Sequence, residues 1–243
     1  MGEETVPSTG PGAGREARPE AGLGLRERKK RETRRRIADI ATGLFLMRGF
    51  DNVTIADVAR TADVSVNTVF NYFKTKEDLF FDREDEMVEA AARDVRDRRP
   101  GESVVALFRR RFFEGLDAGE YRTAFHEGAD AWLQAVHDSP ALTARMRELG
   151  QRIEDELAVL LAEETGAGPD DFTPRAAAAM IHAAQSALVT EIAARKRAGE
   201  TLEEMRDDVY AAAARTFDLL EHGLGGYAAA PPAAPPAPPG TGN

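Results

Sequence analysis

The chain has no cysteine among its 243 residues. Disulfides and thiolate metal sites are therefore excluded. It lacks any run of apolar residues long enough to cross a bilayer, and no strand-like alternation of useful length appears. The opening residues are rich in Gly, Glu, Pro and Ser and do not show the basic-then-apolar layout of a signal peptide. His126, His137 and His182 are scattered, with none at metal-ligand spacing. There is no nucleophile elbow and no Gly-rich phosphate loop, and the carboxylates are spread over amphipathic surfaces, which argues against an enzyme. No cofactor is expected. What remains is a folded, helical, cytoplasmic protein whose 42% hydrophobic content is ample for one large core or two modest ones.

Charge is unevenly placed. The net charge is −10, yet Arg26 to Lys76 carries twelve Lys/Arg against six Asp/Glu, a local +6. The remaining 20 Lys/Arg and 36 Asp/Glu give −16. A basic end on an acidic body suits a protein that turns one face to phosphate and repels it elsewhere.

Residues 1–25 lack periodicity and read as disordered. A basic arm follows, from Arg26 to Arg36, leading into a helix with Ile37, Ile40, Ala41, Leu44 and Phe45 on one face and Gly49 as its stop. Thr75 is placed to cap a longer helix running to about Arg98, and Pro100-Gly101 interrupts it. Further helices are expected over about 102–117, 121–137, 140–165, 174–198 and 201–222, the last opened by a Thr201/Glu204 capping box. The Ala-Pro-Pro repeats of the tail, residues 224–243, predict an extended polyproline-like segment.

The most informative stretch is residues 54–73. Thr54 and Asp57 form a capping-box pattern that opens one short helix. Ser65 is placed to cap a second, with Val66, Val69, Phe70 and Phe73 as its apolar side. Only Ala62, Asp63 and Val64 lie between them, room for a tight turn. Asn67, Thr68, Asn71 and Tyr72 then face away from the core, an uncharged hydrogen-bonding surface. This is a helix-turn-helix, and it points to sequence-specific recognition of double-stranded DNA.

On these residues the chain resembles the TetR family of transcriptional regulators. The likeness runs from about Thr33 to Phe81 and rests on Leu44-Phe-Leu-Met-Arg-Gly-Phe50, Val53-Thr-Ile-Ala56, Ala62-Asp-Val-Ser65, Thr68-Val-Phe-Asn-Tyr-Phe73 and Lys74-Thr-Lys-Glu-Asp-Leu79. The resemblance implies an all-α homodimer: a three-helix helix-turn-helix head at 26–80, a larger effector-binding and dimerisation domain at 81–223, and about nine helices in total. The family usually has Gly in the turn where Asp63 sits and near the recognition-helix start where Asn67 sits, and Phe70 stands where Tyr is common. Asp tolerates a left-handed conformation, so Asp63 does not threaten the turn. Asp78-Leu-Phe-Phe-Asp-Arg83 and Arg99-Pro-Gly-Glu-Ser103 are similar to a subgroup with acyl-CoA-like ligands that includes mycofactocin-type regulators.

Candidate roles follow by reach. Val66, Asn67, Thr68 and Asn71 are assigned to base edges; Asn pairs bidentately with adenine and Val66 suits a thymine methyl. Thr54, Tyr72 and Lys76 are assigned to phosphates, and Ser65 and Lys74 at the ends of the rod complete the set. The family pocket falls where Phe108, Phe112, Phe125, Trp132 and Met146 lie, although core packing is the safer explanation for most of them. For the dimer, Met180, Ala183 and Ala187 on one helix and Met205, Val209, Ala213, Phe217 and Leu220 on the next would build a four-helix bundle with a second copy. The same stripe also suits packing within one chain. The expected function is a ligand-responsive regulator, a repressor released from a pseudo-palindromic operator by a small hydrophobic effector, with no membrane partner. The alternative is an activator, or a regulator without a small ligand.

Overall fold

The computed structural model describes residues 24–224. The expectations for disordered ends fall on residues outside this range, Gly24, Leu25 and Leu224 apart. In chain order the α-helices are α1 (Leu25–Arg48), α2 (Ile55–Thr61), α3 (Val66–Tyr72), α4 (Glu77–Phe80) and α5 (Glu84–Arg96). There follow α6 (Val104–Asp117), α7 (Asp130–Asp138), α8 (Pro140–Thr165), α9 (Thr173–Arg197) and α10 (Leu202–Leu224). Two 3-10 turns, Tyr121–Thr123 and Glu127–Ala129, precede α7. Among the described residues there is no strand. The described residues divide into two compact units, 24–84 with Ala131–Met146, and Asp85–Asp130 with 147–224.

In the first unit, α1 buries Ile37, Ala41, Leu44 and Phe45, spaced to lie on one helical face. It stops at Gly49, whose φ of 83° only glycine adopts freely and whose N–H donates to the Phe45 carbonyl at 2.9 Å. An aromatic cluster forms the floor. Phe45 lies 4.9 Å from Phe50, Phe50 6.0 Å from Phe80, and Phe80 stacks on Trp132 at 5.4 Å between ring centroids. Ser139 adds a hydrogen bond, its hydroxyl donating to Asp51 at 3.2 Å.

In the second unit, α10 packs on α9 and α6. Its inward stripe is Met205, Val209, Ala213, Phe217 and Leu220, all buried, with Phe217 set 5.8 Å from Phe112. Tyr210 hydrogen-bonds Asp117, and Arg109 pairs with Asp218 at 2.5 Å. Thr201 and Glu204 exchange the capping-box hydrogen bonds that open α10.

Three features differ from the sequence-based expectation. The helix expected from about 76 to 98 is broken at residues 81–83 into α4 and α5, so the described residues hold ten α-helices rather than nine. Phe80 and Phe81 are both buried and both meet Trp132 (5.4 and 5.9 Å). Consecutive helical side chains diverge by about 100°, so aiming both at one ring requires the helix to stop. The helix expected over 121–137 survives only from Asp130. Thr123 donates to the Glu120 carbonyl at 2.7 Å and accepts from the Phe125 N–H at 3.2 Å, local bonds that compete with the helical ladder. Finally, α9 is, by length and composition, apolar enough to span a bilayer. Its apolarity is largely alanine, it carries His182, Gln185 and Glu191, and it buries Ala177, Ala178, Ile181, Leu188 and Ile192 inside the second unit.

Candidate nucleic-acid interface

The two short helices of the first unit are set by their caps. Thr54 Oγ1 accepts from the Asp57 N–H at 3.1 Å, and the Asp57 carboxylate accepts from the Thr54 N–H at 3.0 Å and its hydroxyl at 2.6 Å. These bonds, with help from Arg60, pull the Asp57 carboxyl down to a pKa of about 2. After α2 the chain reverses through Asp63, whose φ of 52° lies in the left-handed region. Ser65 Oγ then accepts from the Thr68 N–H at 3.0 Å and opens α3. Val58, Ala59, Ala62, Val69 and Phe73 close the angle between the helices; all are buried.

What α3 presents outward differs in part from the expectation. Val69 and Phe73 are its buried side, but Val66 is 39% exposed and Phe70 51% exposed. The four positions span only about 100°, the i, i+3, i+4, i+7 stripe of a buried face, but only the Val69 and Phe73 edge of that stripe is covered. Val66 and Phe70 therefore join Asn67 and Asn71 on the open face, while Thr68 and Tyr72 are half-buried at its edge. Thr68 Oγ1 is held 2.8 Å from Ser65 Oγ. Sequence reading placed both Val66 and Phe70 on the apolar side with Val69 and Phe73, and their spacing carried no signal that they would be exposed.

Opposite this face stands α1. The basic run is not an extended arm: it forms the first three turns of the helix, beginning at Leu25. A cleft of about 640 Å³ separates these turns from α3. Arg26, Glu27, Lys29, Lys30 and Thr33 form one wall, and Thr68, Asn71 and Tyr72 the other. Arg34 does not face the cleft chemistry. Its guanidinium donates to the Tyr72 carbonyl at 2.6 Å and lies 4.3 Å over the Phe73 ring, tying α1 to the last turn of α3.

The phosphate assignments at α4 need correction. The Lys76 ammonium sits 4.2 Å over the Phe50 ring and 5.7 Å from Phe45, and burial pulls its pKa below the ordinary lysine value. The backbone N–H groups of Lys74 and Thr75 donate to Asp78 at 3.1 Å, and the Asp78 N–H donates to Thr75 Oγ1 at 3.2 Å. The N–H groups of Lys74, Thr75 and Asp78 therefore already have acceptors. The Lys74 side chain is exposed. Thr54 is exposed too, with its hydroxyl proton committed to Asp57.

These features make a head with a neutral hydrogen-bonding and apolar face beside a cationic wall. Comparison with known proteins decides what it is. Residues 37–82 match the family described as bacterial regulatory proteins, tetR family. The HTH-type transcriptional regulator TcmR of Streptomyces glaucescens is 31% identical over 160 residues, covering 63% of this chain and 70% of that protein. The chain belongs to the TetR family. Members are ligand-responsive, DNA-binding transcriptional regulators, and this chain is one of them. Two solved structures share the fold. The SmeT–triclosan complex is 16% identical with a TM-score of 0.51, covering 79% of this chain and 91% of that one. NalD, the secondary repressor of the MexAB-OprM multidrug efflux pump in Pseudomonas aeruginosa, is 18% identical with a TM-score of 0.50, covering 76% and 97%.

The other two TetR-family site sets are dispersed. Phe108, Phe112 and Phe125 are buried in the second unit, whereas Trp132 and Met146 belong to the first, with Trp132 in the aromatic floor. The structure does not bring these five together within one unit. Among the dimer candidates, Met180, Ala183 and Ala187 are exposed on α9. Met205, Val209, Ala213, Phe217 and Leu220 are all at or below 7% exposure, filled by their own α6 and α9. A side chain already enclosed in one chain has no surface to share with another, so the α10 stripe is an internal core. On α10 the large apolar side chain of Leu219 is 78% exposed. Among the described residues, no group of three or more His, Cys, Asp or Glu is placed to hold a metal ion.

Proposed function

We propose that this TetR-family protein is a homodimeric repressor whose two heads dock on a pseudo-palindromic operator and leave it when a small hydrophobic effector binds. The observation that carries this reading is the open face of α3. Val66, Asn67, Phe70 and Asn71 together offer amide groups for base edges and apolar groups for thymine methyls. Tyr72, Lys74 and the first turns of α1 supply contacts to the backbone, which position the head without reading sequence.

A two-fold pair of heads requires a dimer face, and Met180, Ala183 and Ala187 of α9 with Leu219 of α10 supply exposed apolar surface for it. The effector is received by the second unit, where Phe108, Phe112 and Phe125 supply an apolar aromatic lining once a cavity opens among them. Acyl-CoA esters are the narrower candidate, on the subgroup likeness of residues 78–83 and 99–103. Release is a population shift: the effector favours dimers whose heads no longer match the half-site spacing, and does so only by its differential affinity for the two states. The chain crosses between the two units three times, at Glu84–Asp85, Asp130–Ala131 and Met146–Arg147. The protein acts as a cytoplasmic binding protein with no catalytic step.

A gel-shift on the DNA upstream of its own gene, with and without acyl-CoA esters and simple hydrophobic drugs, tests the proposal. Retarded DNA that a ligand releases supports it. Retardation indifferent to every ligand favours a regulator without a small effector, and no retardation overturns the reading.

A further inference from the structure

We infer that the cleft between the first turns of α1 and α3 seats one sugar–phosphate strand of the duplex, gripped by Arg26, Lys29 and Lys30. This rests on the DNA-binding reading above and narrows it to particular residues. The wall lies ahead of residues 37–82, the stretch that matches the bacterial regulator family.

Three observations carry it. Arg26, Lys29, Lys30 and Thr33 fall at i, i+3, i+4 and i+7, one stripe of a helix, and all four border the cleft. The stripe is about 10 Å long at 1.5 Å per residue. Over that length one DNA strand presents about three phosphates at roughly 3.4 Å each along the helix axis. Arg26, Lys29 and Lys30 occupy about 6 Å of that length, and their long side chains, with the Thr33 hydroxyl, reach across it. Secondly, Arg26, Lys29 and Lys30 are exposed, and none is ion-paired to another described residue, unlike Arg34 on the same helix, which is bound to Tyr72 and Phe73. Thirdly, that Arg34 strap fixes the cationic wall against the reading wall, so the cleft exists before DNA arrives. Glu27 also borders it, and as a first-turn acid it suits the positive end of α1. The opposite wall offers the hydroxyl of Thr68 and the phenol of Tyr72, neutral groups that hydrogen-bond to phosphate or sugar, and Asn71 borders it with its amide left for the base edges.

Arg28, Arg31 and Arg35 lie on the same basic turns but do not border the cleft. They are the internal control. The full chain is titrated by fluorescence anisotropy onto labelled duplex from upstream of its own gene over a range of salt. Each lost phosphate contact lowers the slope of log affinity against log salt by about 0.9. The R26Q/K29Q/K30Q variant should therefore lose about 2.7 of slope per head, equivalent to roughly fortyfold less affinity lost between about 50 and 200 mM salt. R28Q/R31Q/R35Q should change it by less than about 1, and R26K/K29R/K30R should keep the wild-type slope. An unchanged slope in the first variant overturns the inference, as does an equal fall in the control. Wild-type chain that fails to bind duplex takes down the DNA reading itself, and this inference with it.

Discussion

Replacing Phe217 by alanine separates an internal core from a subunit interface. The ring is fully enclosed, set against Phe112 at 5.8 Å and covered by α6 and α9. Removing it forfeits about 3 kcal/mol of apolar transfer, and the cavity left behind adds about 1 kcal/mol. Against a typical stability of roughly 5–15 kcal/mol, a loss of about 4 kcal/mol is large. For a unit of this size it corresponds to about 12 °C in melting temperature. The assay is differential scanning calorimetry on dilute protein, alongside sedimentation velocity for the oligomeric state. Leu219→Asp is the partner experiment. Leu219 is 78% exposed, so the melting of a single chain should move by no more than about 0.5 kcal/mol, while the dimer dissociates. If Phe217→Ala left the melting temperature of the isolated chain unchanged and reduced only the dimer fraction, the α10 stripe would be the interface after all.

Two further outcomes are expected. Lys76→Gln should destabilise the head by roughly 1 kcal/mol through loss of the cation over Phe50 and Phe45, and leave the salt slope of DNA binding unaltered; a slope reduced by about one per head would restore Lys76 to the phosphate contacts. His182 is packed where a β-carbon at Gly150 would lie 2.9 Å from its Nε2, and burial holds its imidazole below the ordinary pKa while Glu154 pulls the other way. The folded state therefore takes up this proton less readily than the unfolded chain, so stability should fall as pH drops from about 7 to 5, and His182→Gln should flatten that decline in urea titrations at several pH values.

Much of the head was legible in the residues because its instructions are local. Thr54 with Asp57, Ser65, Asp63 and Gly49 each act within four positions of themselves, and each does in the structure what its chemistry implies. The misreadings arise where a side chain's partner is distant in sequence. Lys76 reads as a free cation until Phe45 and Phe50 are placed beside it, 31 and 26 residues earlier. Arg34 reads as one more basic-arm residue until Tyr72 and Phe73 meet it. Phe80 and Phe81 end a helix because Trp132 lies under both. The α10 stripe has the spacing of any buried helical face, and periodicity alone does not say whether the covering helix comes from the same chain. For the effector site the signal was weaker still, since buried aromatics on helices serve packing and pockets alike.

The central claim is that the exposed face of α3 reads bases, and selection of bound duplexes from a random pool tests it most directly. Wild-type protein should enrich a two-fold-related site, and Asn71→Ala should relax the preference at one base pair in each half-site, worth about 1–3 kcal/mol there, with the salt slope nearly intact. Identical enriched sites for wild type, Asn67→Ala and Asn71→Ala would contradict it.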